Sequence, residues 1–263
     1  MSKAVYTAGA VDYDNVFAHA TQLFVPPLIA AAQLSPGQHV LDVATGTGIA
    51  AQAAVECVGP SGVVVAGDIS PAMLDVARHK LSEGPVTFEI FDAHALPYPD
   101  GRFDAVICQL GLMLFADPSR ALAEFHRVLR GDGRVAVSVT TAPQRTLYMR
   151  IGATIARHVP SKAASFDRYF GIGDAGRLET LLADAGFRDV HVESECSELI
   201  FASFDEYFSG IENGATLSGQ EYVCLPEEVR RAVREDVRRS LLVGRSDGPL
   251  AVNMEVLIGS GLC

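Results

Sequence analysis

The residues best suited to chemistry sit in one short run, Val40-Leu41-Asp42-Val43-Ala44-Thr45-Gly46-Thr47-Gly48, and in one later acid, Asp68. An apolar run that stops at two closely spaced glycines reads as a buried strand entering a tight turn, because glycine accepts positive φ and lets a ligand approach the backbone. Ile49 to Val55 reads as the helix that follows, so a ligand is expected where the strand ends. Asp68 closes a second apolar run, Val63 to Gly67, where a carboxylate can accept hydrogen bonds from both hydroxyls of a ribose. An adenosine-type ligand is expected.

The glycines alone do not choose among such ligands. Gly46-Thr47-Gly48-Ile49-Ala50-Ala51 also fits the loose dinucleotide pattern of nicotinamide-dependent oxidoreductases. Asp42 discriminates, because a carboxylate at the strand end pointing into the cleft opposes a pyrophosphate and favours an ammonium. One charge pair at about 4 Å and an effective dielectric near 20 contributes roughly 4 kcal/mol. S-adenosylmethionine carries an ammonium and a sulfonium. The plainer role for Asp42 is to hydrogen-bond loop amides only.

Three further segments follow in order. In Gly67-Asp68-Ile69-Ser70-Pro71-Ala72-Met73, Ser70-Pro71 starts a helix and Ile69 can lie against an adenine face. Phe91-Asp92-Ala93-His94 ends a third strand, with Asp92 able to accept an adenine amino group. Phe103 to Gln109 is a fourth strand, followed by Asp117-Pro118 and a helix to about Leu129.

Taken together, residues 36 to 140 resemble the class I S-adenosylmethionine-dependent methyltransferases, and within them the group containing the ubiquinone and menaquinone biosynthesis C-methyltransferases. The resemblance implies that Asp42, Gly46 and Gly48 line the methionine end of the cofactor and that Asp68 binds the ribose. Ala44, Thr47, Ile69 and Met73 are expected among the other cofactor-binding residues. Asp92 and Ala93 match adenine contacts, and Gln109 matches the residue that closes the site after the fourth strand. Gln109-Leu110-Gly111-Leu112-Met113 lacks the Asn/Asp-Pro-Pro-Tyr/Phe motif with which nucleic-acid and protein amino-group methyltransferases hold a planar amine.

The elements that must position these residues alternate apolar strands with amphipathic segments from Val40 to Val139, which implies right-handed crossovers and a mostly parallel sheet. The expected fold is α/β: a Rossmann-like, seven-stranded, mostly parallel sheet with helices on both faces. An antiparallel last strand, Ala251 to Ile258, is expected at the sheet edge. The 263 residues read as one domain, with residues 1–35 as an N-terminal helical cap broken near Pro26-Pro27 and residues 196–249 as an inserted cap over the substrate. Residues 226–242 read as an amphipathic helix whose arginines pair with Glu227, Glu228, Glu235 and Asp236 on a solvated face.

Composition narrows the partners. The net charge of −11 disfavours a surface for nucleic-acid phosphates. No run is long enough to span a membrane and no signal sequence is evident, so a cytoplasmic protein is expected. The five cysteines are scattered without metal-ligand spacing, so reduced thiols and no metal are expected. The final strand or the cap could mediate a homodimer.

Methyl transfer from a sulfonium depends chiefly on alignment, which can supply roughly 7–11 kcal/mol of barrier. A general base adds about 10²–10⁴-fold for an acceptor that must lose a proton. His19 is the candidate base, since the N-terminal segment is expected to close over the methyl donor; an ordinary helix-surface histidine is the plainer role. His94 and His126 read as structural. Tyr13, Met149, Tyr169, Phe170 and Phe208 are candidate walls for a small, aromatic or apolar acceptor. Two alternatives stand beside methyl transfer to oxygen, carbon or nitrogen: a cofactor-binding protein or cyclase on the same fold, and a nicotinamide-dependent oxidoreductase.

Overall fold

The computed structural model describes residues 18–146, 149–163, 166, 171–213, 216–242 and 248–263, with the backbone alone at residues 18, 19 and 217. The strands form one seven-stranded sheet in the order β3-β2-β1-β4-β5-β7-β6. They are β1 (His39–Val43), β2 (Val63–Asp68), β3 (Val86–Ile90), β4 (Phe103–Gln109), β5 (Leu129–Thr140), β6 (Arg188–Phe201) and β7 (Leu250–Leu262). β1 to β5 pair in parallel, and β7 runs antiparallel to both β5 and β6.

The mixed, mostly parallel sheet agrees with the expected fold, but β7 is not an edge strand. It lies between β5 and β6, and β6 forms the edge. β6 also runs past the expected cap boundary at residue 196: Cys196 to Phe201 stay paired with β7, from Cys196 opposite Glu255 to Phe201 opposite Leu250. Half-buried Leu199 and Phe201 alternate with exposed Glu198 and Ile200, the pattern of a strand with one wet face. The inserted helices therefore leave the tip of a long β6–β7 hairpin rather than interrupting the strand.

Around the sheet lie α1 (Ala18–Gln22), α2 (Val25–Ala32), α3 (Ile49–Val58), α4 (Pro71–Lys80), α5 (Pro118–Val128), α6 (Met149–His158), α7 (Ala175–Asp184), α8 (Phe204–Glu212), α9 (Leu217–Val223) and α10 (Glu227–Leu241). Two helix starts that border the site are set by local chemistry. The Ser70 hydroxyl accepts the Met73 amide and Asp117 accepts the Arg120 amide, each with proline in the first turn.

The expected N-terminal cap is divided. Pro26 and Pro27 occupy the first turn of α2, where a missing N–H costs nothing, so the chain breaks before them rather than at them. With Phe24 and Leu28 buried, α2 packs on β4, β5 and β7 as part of the sheet's covering layer. Residues 1–17 of that cap lie outside the described residues.

The inserted helices have their own core. Phe204 and Phe208 stack at 5.4 Å, Tyr222 meets Phe208 edge-on at 5.3 Å, and the Arg234 guanidinium lies over both phenylalanines. α10 and α9 both pack on α6. Among the described residues, no helix is long and apolar enough to cross a membrane.

Candidate cofactor pocket

The strand order reverses between β1 and β4, since β1 continues outward to β2 while β4 turns to the other side. Such a switch point opens a crevice beyond the strands' carboxyl ends. A cavity of about 290 Å³ lies there, bordered by Val43 and Ala44 after β1 and by Gln109, Leu110 and Gly111 after β4. Asp68, Ile69, Ser70 and Met73 form one flank, and Phe91 to His94 together with Leu114 to Ala116 form another.

The backbone is bent at both central strand ends. Ala44 has φ 58° and Leu110 has φ 52°, the left-handed region that side chains with a Cβ rarely enter. Each such residue costs on the order of 1–3 kcal/mol and persists only where its surroundings enforce it. For Leu110 the enforcement is visible: its amide donates to both the carbonyl and the hydroxyl of Ser138 on β5. A Cβ on Gly111 would come within 2.7 Å of the Ala44 Cβ, so the two bent strand ends are packed against each other. Gly46, at φ 55°, has nothing within 4 Å of where its Cβ would be, which leaves its backbone open to the cavity.

Asp68 organises the turn. One oxygen accepts the Gly46 amide at 3.0 Å and the other accepts the Ser70 amide at 2.9 Å. Burial raises its pKa above the ordinary carboxylate value, opposed by the Ser70 and Gly46 amides. Each oxygen has a second lone pair, so the carboxylate can still accept from a ligand's hydroxyl groups.

Asp42 departs from expectation. It does not line the cavity but lies fully buried beneath Val43 and Ala44, one oxygen accepting the Thr45 hydroxyl at 2.6 Å. The other oxygen makes no hydrogen bond among the described residues. Burial pushes its pKa up to about 7; the Thr45 hydroxyl and the Ala51 amide in the first turn of α3 pull it down, while the Asp68 carboxylate adds to the rise. Asp42 thus makes no direct contact with the cavity. It also holds an acid against the helix start where a dinucleotide's phosphates would bind, which disfavours them.

Thr47 and Gly48 are also off the cavity wall. Thr47 is buried, and Gly48 caps α3 at φ 87° with its Cβ position 3.1 Å from the Ala77 Cβ, so its left-handed backbone and close helix packing favour glycine there. Ala44, Gly46, Asp68, Ile69, Met73, Asp92, Ala93 and Gln109 all line the cavity. Ile69 is 41% exposed there, an apolar surface open to a flat ring.

Asp92 lies just beyond β3. One of its oxygens receives both the His94 amide at 2.9 Å and the His94 Nδ1 at 2.6 Å, and the His94 amide leads in holding its pKa below the usual range. Gln109 donates through Nε2 to the Thr21 carbonyl at 2.7 Å, tying α1 to the cavity mouth. His94, Leu114 and Phe115 are wall residues that spacing did not identify. Their only sequence signal is position, just after a strand end or just before a Pro-started helix.

The proposed acceptor walls fare differently. Phe208 is fully buried in the inserted helices, held by Phe204 and Tyr222, and Met149 packs in the first turn of α6; neither borders the cavity. Tyr13, Tyr169 and Phe170 lie outside the described residues. The backbone of His19 belongs to α1, but its side chain is not among those described.

Residues 41–137 match a methyltransferase domain family. A ubiquinone/menaquinone biosynthesis C-methyltransferase from Pseudoalteromonas translucida is 31% identical over 176 residues, covering 60% of this chain and 70% of that protein. A demethylmenaquinone methyltransferase from Deinococcus radiodurans is 35% identical over 165 residues, 57% of this chain and 68% of that one. In fold, the chain is similar to a phosphoethanolamine N-methyltransferase from Haemonchus contortus in complex with S-adenosyl-L-methionine. The TM-score is 0.61 at 17% identity, covering 99% of this chain and 60% of that one.

The lining suits such a cofactor: it offers a carboxylate at Asp68 with lone pairs to spare and an apolar surface at Ile69. This chain belongs to the class I S-adenosylmethionine-dependent methyltransferases, and among them it is similar to the ubiquinone/menaquinone biosynthesis C-methyltransferases.

Proposed function

We propose that this enzyme methylates a ring carbon of a small, reduced quinone-type or phenolic acceptor. The observation that carries the reading is the similarity to quinone-biosynthesis C-methyltransferases over more than two thirds of their length.

When bound, S-adenosylmethionine supplies an electrophilic methyl group on a sulfonium and leaves as a neutral thioether. The chain's residues do the holding. In this reading Asp68 accepts from the ribose hydroxyls while keeping the Gly46 and Ser70 amides in place. Ile69 covers one face of the adenine, and the second oxygen of Asp92 accepts from its amino group. The buried Asp42 carboxylate favours the cationic donor over the uncharged thioether product, because its field falls off slowly in a poorly solvated interior.

A ring carbon that gains a methyl must lose its proton. We assign that proton to His19, whose helix α1 is anchored at the cavity mouth by the Gln109–Thr21 bond.

The test is transfer of an isotopically labelled methyl group to a naphthohydroquinone with an unsubstituted ring position, beside a simple phenol, a thiol and an amine. Label on the hydroquinone carbon supports the reading. Label on the amine or thiol alone replaces the acceptor class, and cofactor binding with no transfer to any of them favours a cyclase or binding protein.

A further inference from the structure

The imidazole of His94 sits between two walls of the cavity and bonds to both. The Asp117 backbone amide donates to its Nε2 at 3.2 Å, so that nitrogen carries no proton. The ring proton must then be on Nδ1, where it points at the Asp92 carboxylate at 2.6 Å. The same Asp92 oxygen takes the His94 amide at 2.9 Å. Both donors of His94 thus converge on one oxygen of Asp92, a residue of the cavity wall.

Further contacts close the loop. The ring meets Phe115, a residue of the opposite wall segment, edge-on at 5.7 Å. Asp117 caps α5 by accepting the Arg120 amide, and Arg120 Nε returns to the His94 carbonyl at 2.9 Å. The imidazole bonds to both the Asp92–Leu96 loop and the Phe115–Asp117 segment, beside the Arg120, Glu124 and Arg127 bonds that tie the loop to α5.

We propose that His94 is the positioning residue of this end of the cavity: its neutral, Nδ1-protonated ring holds Asp92 and the Phe115 wall in register for the cofactor. This rests on the cavity being the cofactor site. Removing the ring takes away the acceptor for the Asp117 N–H and the edge contact to Phe115, and leaves the loop tied to α5 through Arg120, Glu124 and Arg127.

The charged groups around the ring are Asp92 on its own loop and Asp117, Arg120, Glu124 and Arg127 on α5. Glu124 accepts the Leu96 amide, and Arg127 donates to the Leu96 carbonyl. The wall segment 109–116 contains no titratable side chain, and Asp68 faces the same cavity from β2.

The experiment is calorimetric binding of S-adenosylhomocysteine to the wild type and to His94→Asn. Asparagine can still donate to Asp92 but offers Asp117 no ring acceptor. Affinity of His94→Asn is expected to lie about three- to tenfold below that of the wild type. Equal affinity in both would overturn the role.

Absence of binding by the wild type would instead overturn the cofactor reading of the cavity. A ligand-free measurement covers a variant that does not fold: long-range proton–nitrogen spectra of the wild-type imidazole. The expected result is the Nδ1–H tautomer, with Nε2 coupled across the hydrogen bond to the Asp117 amide. An Nε2–H tautomer, or an Asp117 amide indifferent to the ring, would overturn it.

Discussion

A Cβ on Gly67 would fall 1.9 Å from the Cε1 of Phe91, so the ring that follows β3 occupies the side-chain place of the residue before Asp68. Phe91 is also a wall of the cavity, which makes this glycine a condition for the pocket's shape as well as for the sheet.

Gly67→Ala therefore displaces a rigid ring toward the cavity. Overpacking of this kind costs about 1–3 kcal/mol. Urea denaturation should show that loss, and S-adenosylhomocysteine affinity should drop with it. Undiminished affinity would mean that the ring finds room elsewhere.

Asp68→Ala removes the acceptor for two turn amides and for the ribose together. Hydrogen bonds to a charged group contribute roughly 1.5–3 kcal/mol each, so affinity for S-adenosylmethionine and S-adenosylhomocysteine should fall about 100-fold or more by titration calorimetry. Asp68→Asn, which keeps one acceptor oxygen, should lie between. Binding of the alanine variant at wild-type strength would remove Asp68 from the site.

Asp42 predicts a pH dependence with a definite sign. Its folded-state pKa is raised to about 7 from the model-peptide value of 3.8, so between those values the folded protein holds more protons than the unfolded chain. Stability must then fall as pH rises through that window. Asp42→Asn should abolish this component and raise the unfolding free energy of the ligand-free protein at about pH 8 by on the order of a few kcal/mol. It should also weaken binding of the cationic cofactor more than that of the uncharged thioether product. Thermal unfolding across pH, with each ligand in turn, checks both; a parallel pH profile in the variant would refute the first.

Phe208→Ala should act on stability and not on the cofactor. Truncating a fully buried phenylalanine costs about 3–5 kcal/mol, concentrated here in α8, α9 and α10. Denaturation should register that loss while S-adenosylhomocysteine affinity of the folded protein stays near wild type.

His19→Gln should leave cofactor affinity unchanged and lower the transfer rate to a carbon acceptor by about 10²–10⁴-fold. Full turnover at saturating acceptor would exclude His19 as the base.

Much of this was legible along the chain because it is local. Ser70-Pro71 and Asp117-Pro118 start helices by bonding amides three residues on, and those bonds need only neighbours. The apolar runs fixed β1, β2 and β4 within a residue, and each ends beside a cavity residue, so Asp68 and Ile69 could be named from position, and Gln109 from the family resemblance. Phe208 could not be distinguished from a pocket wall, because an aromatic residue has the same pattern whether it faces a ligand or Tyr222.

The sequence by itself determined the strand–turn–helix units, the acid at the end of β2 and the kind of ligand they suit, since each follows from residues a few positions apart. Tertiary structure decided what depends on distant partners. It placed β7 inside the sheet and kept β6 paired to Phe201. It held Leu110 in its left-handed bend through Ser138, and it closed burial over Asp42. Those outcomes are set by which surfaces meet, and a chain meets its distant segments only once it has folded.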